Sequence, residues 1–418
     1  MNLLFLAVMV LAIAWLVQAW LSVVLVRKFS RCLDRKPRPG FARYRPRAHL
    51  IVPFKDIDND LPGCVRALCR QDYPSYELIL VVESRQDAAY DVLRRELARH
   101  PACEVQVVVA GEAPACQGQK VHNQIAAIDL INPRSGEDDA WVFADSDAVP
   151  DDQWLNRMVG PLVQDNITAV TTGYRWLVPD GTGWSAPWSS VISVFNASSA
   201  CFLGSRRFVY AWGGSMAMRV STARRGDLRG RLTGALTDDY CVSRMCADLG
   251  KRIYFVGACL VATPVAMTGA EAINFLYRQY LLTRVYEPRI FFAALAMTTL
   301  FSLGWLATVT CVAMGLAAAA PPAVLYMSLG VAAGVFAAHQ TRAEIRIRAL
   351  RRVFDEATLA RLRLPCFFDR WCTSVWMMMH WAVILRSAFG RTMQWRGIRY
   401  RLLGPHRVLR LSPYPPSP

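Results

Sequence analysis

Two carboxylates one residue apart, Asp145-Ser146-Asp147, directly follow the apolar run Ala140–Ala144 (AWVFA). At the end of a buried strand such a pair can hold Mn2+ or Mg2+ on one side while a diphosphate binds the other, neutralising charge on a departing nucleoside diphosphate. The triplet is common in itself, and the chain carries two more, Asp56–Asp58 and Asp58–Asp60. Position separates them, because only Asp145–Asp147 closes a strand that belongs near the centre of a sheet. Thr237-Asp238-Asp239 is a second candidate. A hydroxyl attacking a sugar carbon needs a base within hydrogen-bond reach, and a carboxylate can take that proton as it becomes acidic. Gly213-Gly214-Ser215, upstream of it, allows close backbone approach to a sugar or simply a turn. The pairs Asp138–Asp139 and Asp151–Asp152 read as solvated surface or helix starts. His49, His100 and His122 show no metal-ligand spacing and read as ordinary core or surface residues. Trp176, Trp184 and Trp188 suit an acceptor groove or aromatic packing equally.

The elements that must position these residues alternate in type from Ala48 to about Thr268. Strands are predicted at His49–Phe54, Leu78–Val82, Val105–Ala110 and Ala140–Ala144. Helices are predicted at Leu61–Gln71, Ala88–Ala98 and near Asn123–Ile131. Continuous apolar strands alternating with helices imply a mainly parallel, Rossmann-like α/β sheet covered on both faces. Ligands of such sheets bind beyond the carboxyl ends of the strands. Lys55, Asp56, Asp58 and Asp60 follow the first strand, Glu83 and Asp87 the second, and Asp145 and Asp147 the fourth.

Lys and Arg total 48 against 32 Asp and Glu, a net charge of +16. With no zinc-finger spacing, RNA-binding signature or basic-region heptad, nucleic acid is excluded as the partner. Arginines instead flank apolar segments, at Arg27, Arg31, Arg342, Arg346, Arg348, Arg391 and Arg396, which points to a lipid bilayer. The 12 cysteines form no CxxC pair and read as reduced packing residues of a cytoplasmic domain.

Leu3–Val26 is long enough to cross about 30 Å of hydrocarbon, and Arg27-Lys28 follows at once. Met1-Asn2 lacks the basic start of a cleavable signal, so a retained anchor with its N-terminus outside is expected. Two further apolar runs, Ile290–Ala319 and Pro321–Ala338, turn at Pro321-Pro322 as a hairpin with both ends cytoplasmic. Trp371–Phe389 is shorter, contains His380 and Arg386, and leads into a basic tail. It is expected to be interfacial or re-entrant, with Trp371, Trp376 and Trp381 at headgroup level. The expected organisation is an anchor at 1–28, a catalytic domain at 46–288 and a hairpin at 289–340. A cytoplasmic connector at 341–370 and the interfacial helix with its tail at 371–418 complete it.

The order Val52-Pro53-Phe54-Lys55-Asp56, Gln71-Asp72-Tyr73-Pro74, Val82-Glu83, Asp87, Asp145-Ser146-Asp147, Gly213-Gly214-Ser215 and Asp238-Asp239-Tyr240 resembles family 2-type inverting glycosyltransferases of GT-A fold. The closest resemblance is to the ceramide glucosyltransferase group, with its bacterial lipid and hopanoid relatives. It runs from about Leu50 to Pro288 and resumes at Trp395-Arg396-Gly397-Ile398-Arg399-Tyr400-Arg401-Leu402, similar to that group's C-terminal Trp-Arg-Gly-x-x-Tyr-Arg-Leu.

The resemblance implies a nucleotide-sugar site made from Pro53, Lys55, Glu83, Asp87, Lys120, Asn123, Asp145, Gly214, Arg278 and Arg284. Asp145 and Asp147 would hold the metal, and Asp239 would be the base with Asp238 beside it. Lys120 and Asn123 match a Pro-Lys-x-x-Asn segment in which Gln119 replaces the proline. One departure stands out. Where the group carries (Gln/Arg)-x-x-Arg-Trp, this chain has Arg278-Gln279-Tyr280-Leu281-Leu282, which removes a cation and an aromatic platform. Arg284, less than a helical turn on, is the cation available in its place.

The function so implied is transfer of one sugar from a nucleotide-sugar, a UDP-hexose, to a membrane lipid hydroxyl at the cytoplasmic face of a bacterial inner membrane. Two alternatives stay open. One is a processive polysaccharide synthase, which needs more spans and an intact Gln-x-x-Arg-Trp. The other is an impaired relative that only binds nucleotide-sugar or lipid.

Overall fold

The computed structural model describes residues 3–411 apart from 36, 37, 39, 58, 59 and 206–208. Met1, Asn2 and Asp58, on which sequence expectations rested, lie outside the described residues.

The chain begins with α1 (Leu3–Leu33), β1 (Ala48–Pro53), α2 (Leu61–Cys69), β2 (Tyr76–Val82), α3 (Ala88–Leu97), β3 (Val105–Val109), α4 (Gln119–Ile131) and β4 (Ala140–Ala144). It continues through α5 (Trp154–Val159), β5 (Thr168–Pro179), α6 (Ser185–Ala200), β6 (Ser215–Arg219), α7 (Val220–Arg225), α8 (Leu228–Leu232), α9 (Asp238–Asp248) and β7 (Arg252–Val265). Helices α10 (Gly269–Tyr286), α11 (Pro288–Leu316), α12 (Pro322–Leu350), α13 (Glu356–Arg361), α14 (Arg363–Trp371) and α15 (Thr373–Ser387) follow. Strands β8 (Thr392–Trp395), β9 (Ile398–Gly404) and β10 (Arg407–Leu411) close the chain.

These elements form two compact units. A sheet unit takes Leu33–Leu177, Arg206–Pro264 and Arg391–Pro418, and a helical unit takes Met1–Cys32, Val178–Ser205 and Val265–Gly390.

In the sheet unit seven strands run in the order β3-β2-β1-β4-β6-β5-β7. Strands β1 to β4 are mutually parallel, as their uninterrupted apolar sequences require when both faces are covered. Leu50, Val52, Leu78, Leu80, Val82 and Val142 are fully buried in one core. Strand β4 is central, as expected from AWVFA. Beyond it the sheet turns mixed, because β6 pairs antiparallel with both β4 and β5. Helix α4 starts at Gln119, about a turn earlier than its periodicity suggests. Gly118 ends the preceding loop in extended geometry and fits against Leu236, whose Cδ1 would lie 2.8 Å from any Cβ there. The basic tail is folded. Strands β8, β9 and β10 form a separate antiparallel sheet, and Arg396-Gly397 makes the β8–β9 turn with positive φ at both residues.

Among the described residues of the helical unit, three helices are long and apolar enough to cross a membrane: Leu6–Leu33, Pro288–Leu316 and Pro322–Leu350. That suggests a membrane protein. Ala12, Trp15, Ala19 and Val23 of α1, spaced three and four apart, pack with Phe301 of α11 and Val331, Val335 and Ala338 of α12. Helix α12 continues past the end of its apolar run at Ala338, carrying Arg342 and Arg346 onto Asp369 of α14 at 2.8 and 2.6 Å. The two guanidiniums outweigh the effect of burial and hold the Asp369 carboxyl below its ordinary range.

One expectation needs correcting here. Trp376 does not face outward as a lipid-facing anchor would, since it is buried against Val191 and Val194 of α6. A break at Cys372 separates α14 from α15 and turns Trp376 inward, while Trp371 stays 62% exposed.

Candidate active site

Four segments of the sheet unit bring the chemistry together: the end of β4, the first turn of α4, the glycine pair before β6 and the first turn of α9. From α4, the Lys120 ammonium reaches Asp145 Oδ1 at 2.7 Å and Asp238 Oδ2 at 3.3 Å. Two carboxylates far apart in sequence, Asp145 and Asp238, are thus joined through one cation. Burial works against the charge on Lys120, and Asp145 and Asp238 outweigh it, so the ammonium is held above its ordinary range and stays protonated. Gln124, one turn along the same face of α4, donates to Asp238 Oδ2 at 2.6 Å. Sequence reading missed Gln124. Its i,i+4 spacing from Lys120 was the signal available.

Gly213 and Gly214 form the floor under these carboxylates. A Cβ at Gly213 would collide with the Asp238 carboxylate, and one at Gly214 with Asp145 Oδ2 and the Trp212 ring. Neither glycine has a positive φ, so close approach rather than backbone freedom explains both.

Asp238 and Asp239 differ sharply. Asp238 is 3% exposed and held by Lys120 and Gln124. Asp239 is partly exposed, and its Oδ1 accepts from the Thr237 hydroxyl and from Tyr240 N–H at 2.8 Å. Burial, then the neighbouring Asp238 charge, pushes the Asp239 carboxyl up to about 6, while Thr237, Lys120 and Tyr240 pull it back. That is a proton affinity suited to a base working near neutral pH.

The other expected residues line the ends of β1 and β2. Pro53 closes β1, and Lys55 pairs with Glu83 at 2.7 Å. Asp87 caps α3 through Ala89 N–H at 2.9 Å and also accepts from Asp56 N–H at 3.0 Å, which holds Asp56 at φ 58. Asn123 is buried. It accepts from Gln119 at 2.8 Å and donates long bonds to the carbonyls of Phe54 and Val81, fastening α4 to the ends of β1 and β2.

Arg278 and Arg284 lie on α10 in the helical unit. Arg278 stands over the Phe275 ring, and Arg284 donates to the Gly390 carbonyl. Leu281 and Leu282, in place of Arg-Trp, are packed into that unit. The tryptophans divide: Trp176 is buried and Trp184 is 90% exposed. His49 is a buried core residue bonded to Glu77 at 2.5 Å.

Among the described residues no three His, Cys, Asp or Glu side chains are grouped to hold an ion. Mg2+ and Mn2+ at phosphate sites need no such cage, because one or two carboxylates suffice when phosphate oxygens and waters complete the shell. Asp145 and Asp147 supply two hard oxygen donors, and the absent side chain at Gly214 keeps Asp145 Oδ2 clear. The residues therefore fit a cation shared with a diphosphate.

A sheet of this topology, with carboxylates and a lysine gathered beyond the ends of its parallel strands, defines a GT-A-type glycosyltransferase domain. The family model described as Glycosyl transferase family 21 matches residues 4–408, and the chain belongs to that family. It is a glycosyltransferase that uses a nucleotide-sugar, and the resemblance carried by the ordered motifs is borne out. Among solved structures, a mannosyltransferase from Pyrobaculum calidifontis in complex with GDP-Man and Mn2+ is 16% identical. That match covers 91% of this chain and 97% of that one, with a TM-score of 0.46. Glucosyl-3-phosphoglycerate synthase from Mycobacterium tuberculosis, in complex with Mn2+, UDP-Glc and glycerol 3-phosphate, is 15% identical. It covers 59% of this chain and 84% of that one, with a TM-score of 0.35. Similarity this distant assigns no donor, metal or acceptor.

Proposed function

We propose that the chain transfers one hexose from a UDP-sugar to a hydroxyl of a membrane lipid, with inversion, at the cytoplasmic face of the membrane. The observation that carries this reading is the Lys120–Asp145–Asp238 ion-pair cluster, anchored on the buried Asp238, beside a partly exposed Asp239 whose proton affinity is raised. In this reading Asp239 takes the proton from the lipid hydroxyl as its oxygen attacks the anomeric carbon. The bond from that carbon to the diphosphate breaks on the opposite face. Asp238 keeps Lys120 in place, and Lys120 meets the diphosphate as a point charge. Asp145 and Asp147 would hold Mn2+ or Mg2+, which neutralises the charge of the leaving group. Lys55, Glu83 and Asp87, at the ends of β1 and β2, serve the nucleotide. Pro53 and Asn123 shape that wall, and Gly214 leaves room for Asp145. Arg278 and Arg284 carry the charge that the replaced Arg-Trp pair would bring.

The lipid acceptor is supported by the three long apolar helices and by Leu364, Phe367 and Trp371, which stand exposed at i, i+3 and i+7 on α14. The cytoplasmic side is supported by Arg27, Lys28 and Arg31, which follow the apolar run Leu3–Val26 at the end of the first long helix. Lipid extracts of cells with and without the gene, compared by mass spectrometry, test the reading. A hexosyl or N-acetylhexosaminyl lipid present only with the gene is expected. Identical lipids together with a new polymer would favour the processive alternative. Identical lipids and no polymer would favour the binding-only one.

A further inference from the structure

The C-terminal motif has found no part in the chemistry so far, yet the structure ties it to two segments that carry the site. Gln119, first residue of α4, follows Gly118, which has no side chain to cap the helix. First-turn N–H groups of a helix need outside acceptors. Tyr400 of β9 supplies one: its ring is buried, and its hydroxyl accepts from Gln119 N–H at 3.4 Å, 281 residues away in sequence. A bond that long is weak alone, but the tail grips the same loop again. Arg410 N–H donates to the Ala115 carbonyl at 2.6 Å, and its guanidinium pairs with Glu112 at 3.0 Å and lies 3.9 Å from Glu83.

The β9–β10 turn reaches the other segment. Gly234 has φ +75, and a Cβ there would lie 2.7 Å from the His406 carbonyl oxygen. The two segments are themselves joined by Gly118 N–H to the Ala235 carbonyl at 3.0 Å. Lys120 begins two residues after Gly118, and Asp238 and Asp239 begin three residues after Ala235.

We infer that the three-stranded tail is a clamp that sets Lys120 against Asp238 and Asp239, with Tyr400 and Arg410 as its positioning residues. The catalytic consequence rests on the donor reading above, because Lys120 is the residue assigned to the diphosphate. Loosening the clamp should weaken donor binding more than it slows chemistry.

The test uses the full-length protein in nanodiscs. Tyr400→Phe removes one hydroxyl and leaves the buried ring. Amide exchange is expected to quicken about three- to tenfold at 118–122 and 235–239, the range for one lost hydrogen bond, with β1 and β2 unchanged. The UDP dissociation constant should rise by a similar factor, while kcat changes less. A merely structural role for the hydroxyl would lower the melting temperature without altering UDP affinity in the folded protein. Unchanged exchange in both segments with unchanged UDP affinity would overturn the clamp. Should Tyr400→Phe fail to fold, Arg410→Ala is read by the same two measurements against the same outcomes. Exchange is measured without nucleotide, so it decides the clamp even if the unaltered protein binds no UDP, a result that would sink the donor reading instead.

Discussion

Asp238 and Asp239 are chemically identical neighbours that the fold drives apart. Lys120 and Gln124 spend themselves on Asp238, and Asp239 is left with raised proton affinity and access to solvent. A base must be unprotonated, so kcat/KM should rise with pH along an acidic limb centred near 6 and level off above it. Asp239→Asn should lower kcat about a hundredfold or more and leave UDP affinity nearly unchanged, since it removes proton transfer and little else. Collapse of UDP binding in that variant would make Asp239 a binding residue. Stability should move the other way. The folded-state value lies above the ordinary carboxylate value of 3.8, so the favourable contribution of Asp239 is complete below about 3.8 and is lost as pH rises through about 6. Asp239→Asn should therefore melt above the unaltered protein at pH 7.5, with the gain shrinking as pH falls through 6 toward 4. The metal pair makes a separate claim. EDTA should abolish transfer, and Asp147→Ala should weaken UDP binding with Mn2+ present but not with EDTA present. Full turnover in excess chelator would refute it. Of all this, Asp145 and Asp147 were legible in sequence because a strand end announced them, whereas the role of Asp239 came only from the resemblance. The Lys120 bridge was not legible, because contacts across 25 and 118 residues leave no local pattern.

At the scale of elements, β1 to β4 were legible because each is a short unbroken apolar run. Strands β5 and β7 were not, since Thr168–Pro179 and Arg252–Val265 mix polar residues into long stretches and pair antiparallel or at the sheet's edge. Missing them hid the mixed half of the sheet, and with it the reason for the glycine pair. Strand β6 runs against β4, which brings Gly213-Gly214 alongside Asp145, whose N–H donates to the Gly214 carbonyl at 3.3 Å. The glycines then separate two functions by one residue. Gly214→Ala should push on Asp145 and cut donor and metal affinity, while Gly213→Ala should push on Asp238 and shift the acidic limb. Overpacking of this kind costs about 1–3 kcal/mol, and where that strain falls on the transition-state complex it lowers kcat/KM by about 5- to 150-fold. Equal effects of both variants on metal affinity would show that the two glycines do not divide the labour in this way. Within α15 the orientation of Trp376 was not legible, for a different reason. Hydropathy showed one apolar stretch, whereas the break at Cys372 rotates the faces and puts Trp376 inside.

The whole molecule is constrained by where its tail is fastened. Strands β9 and β10 bond to Gln119 and Ala115, so the tail and the sheet that carries the site lie on one side of any membrane the chain crosses. Between Pro264 and Arg391 the number of crossings must then be even. Helices α11 and α12, of 29 residues each, supply two. Helix α15 has 15 residues, about 22 Å at 1.5 Å per residue, against roughly 30 Å of hydrocarbon, and a crossing by it would make the count odd. Arg391, Arg399 and Arg401 should accordingly remain with the catalytic unit, in keeping with the charge bias. Cysteine labelling with an impermeant maleimide on intact cells checks this. Native Cys116 is exposed and must first be changed to Ser, and Arg410 is a poor probe position because it is engaged with Glu112. Gln394→Cys, exposed on β8, should label only after permeabilisation, whereas Ala319→Cys, exposed in the turn between α11 and α12, should label from outside without it. External labelling at both 394 and 319 would mean that α15 crosses after all, whereas external labelling at 394 alone would reverse the side proposed for the catalytic unit.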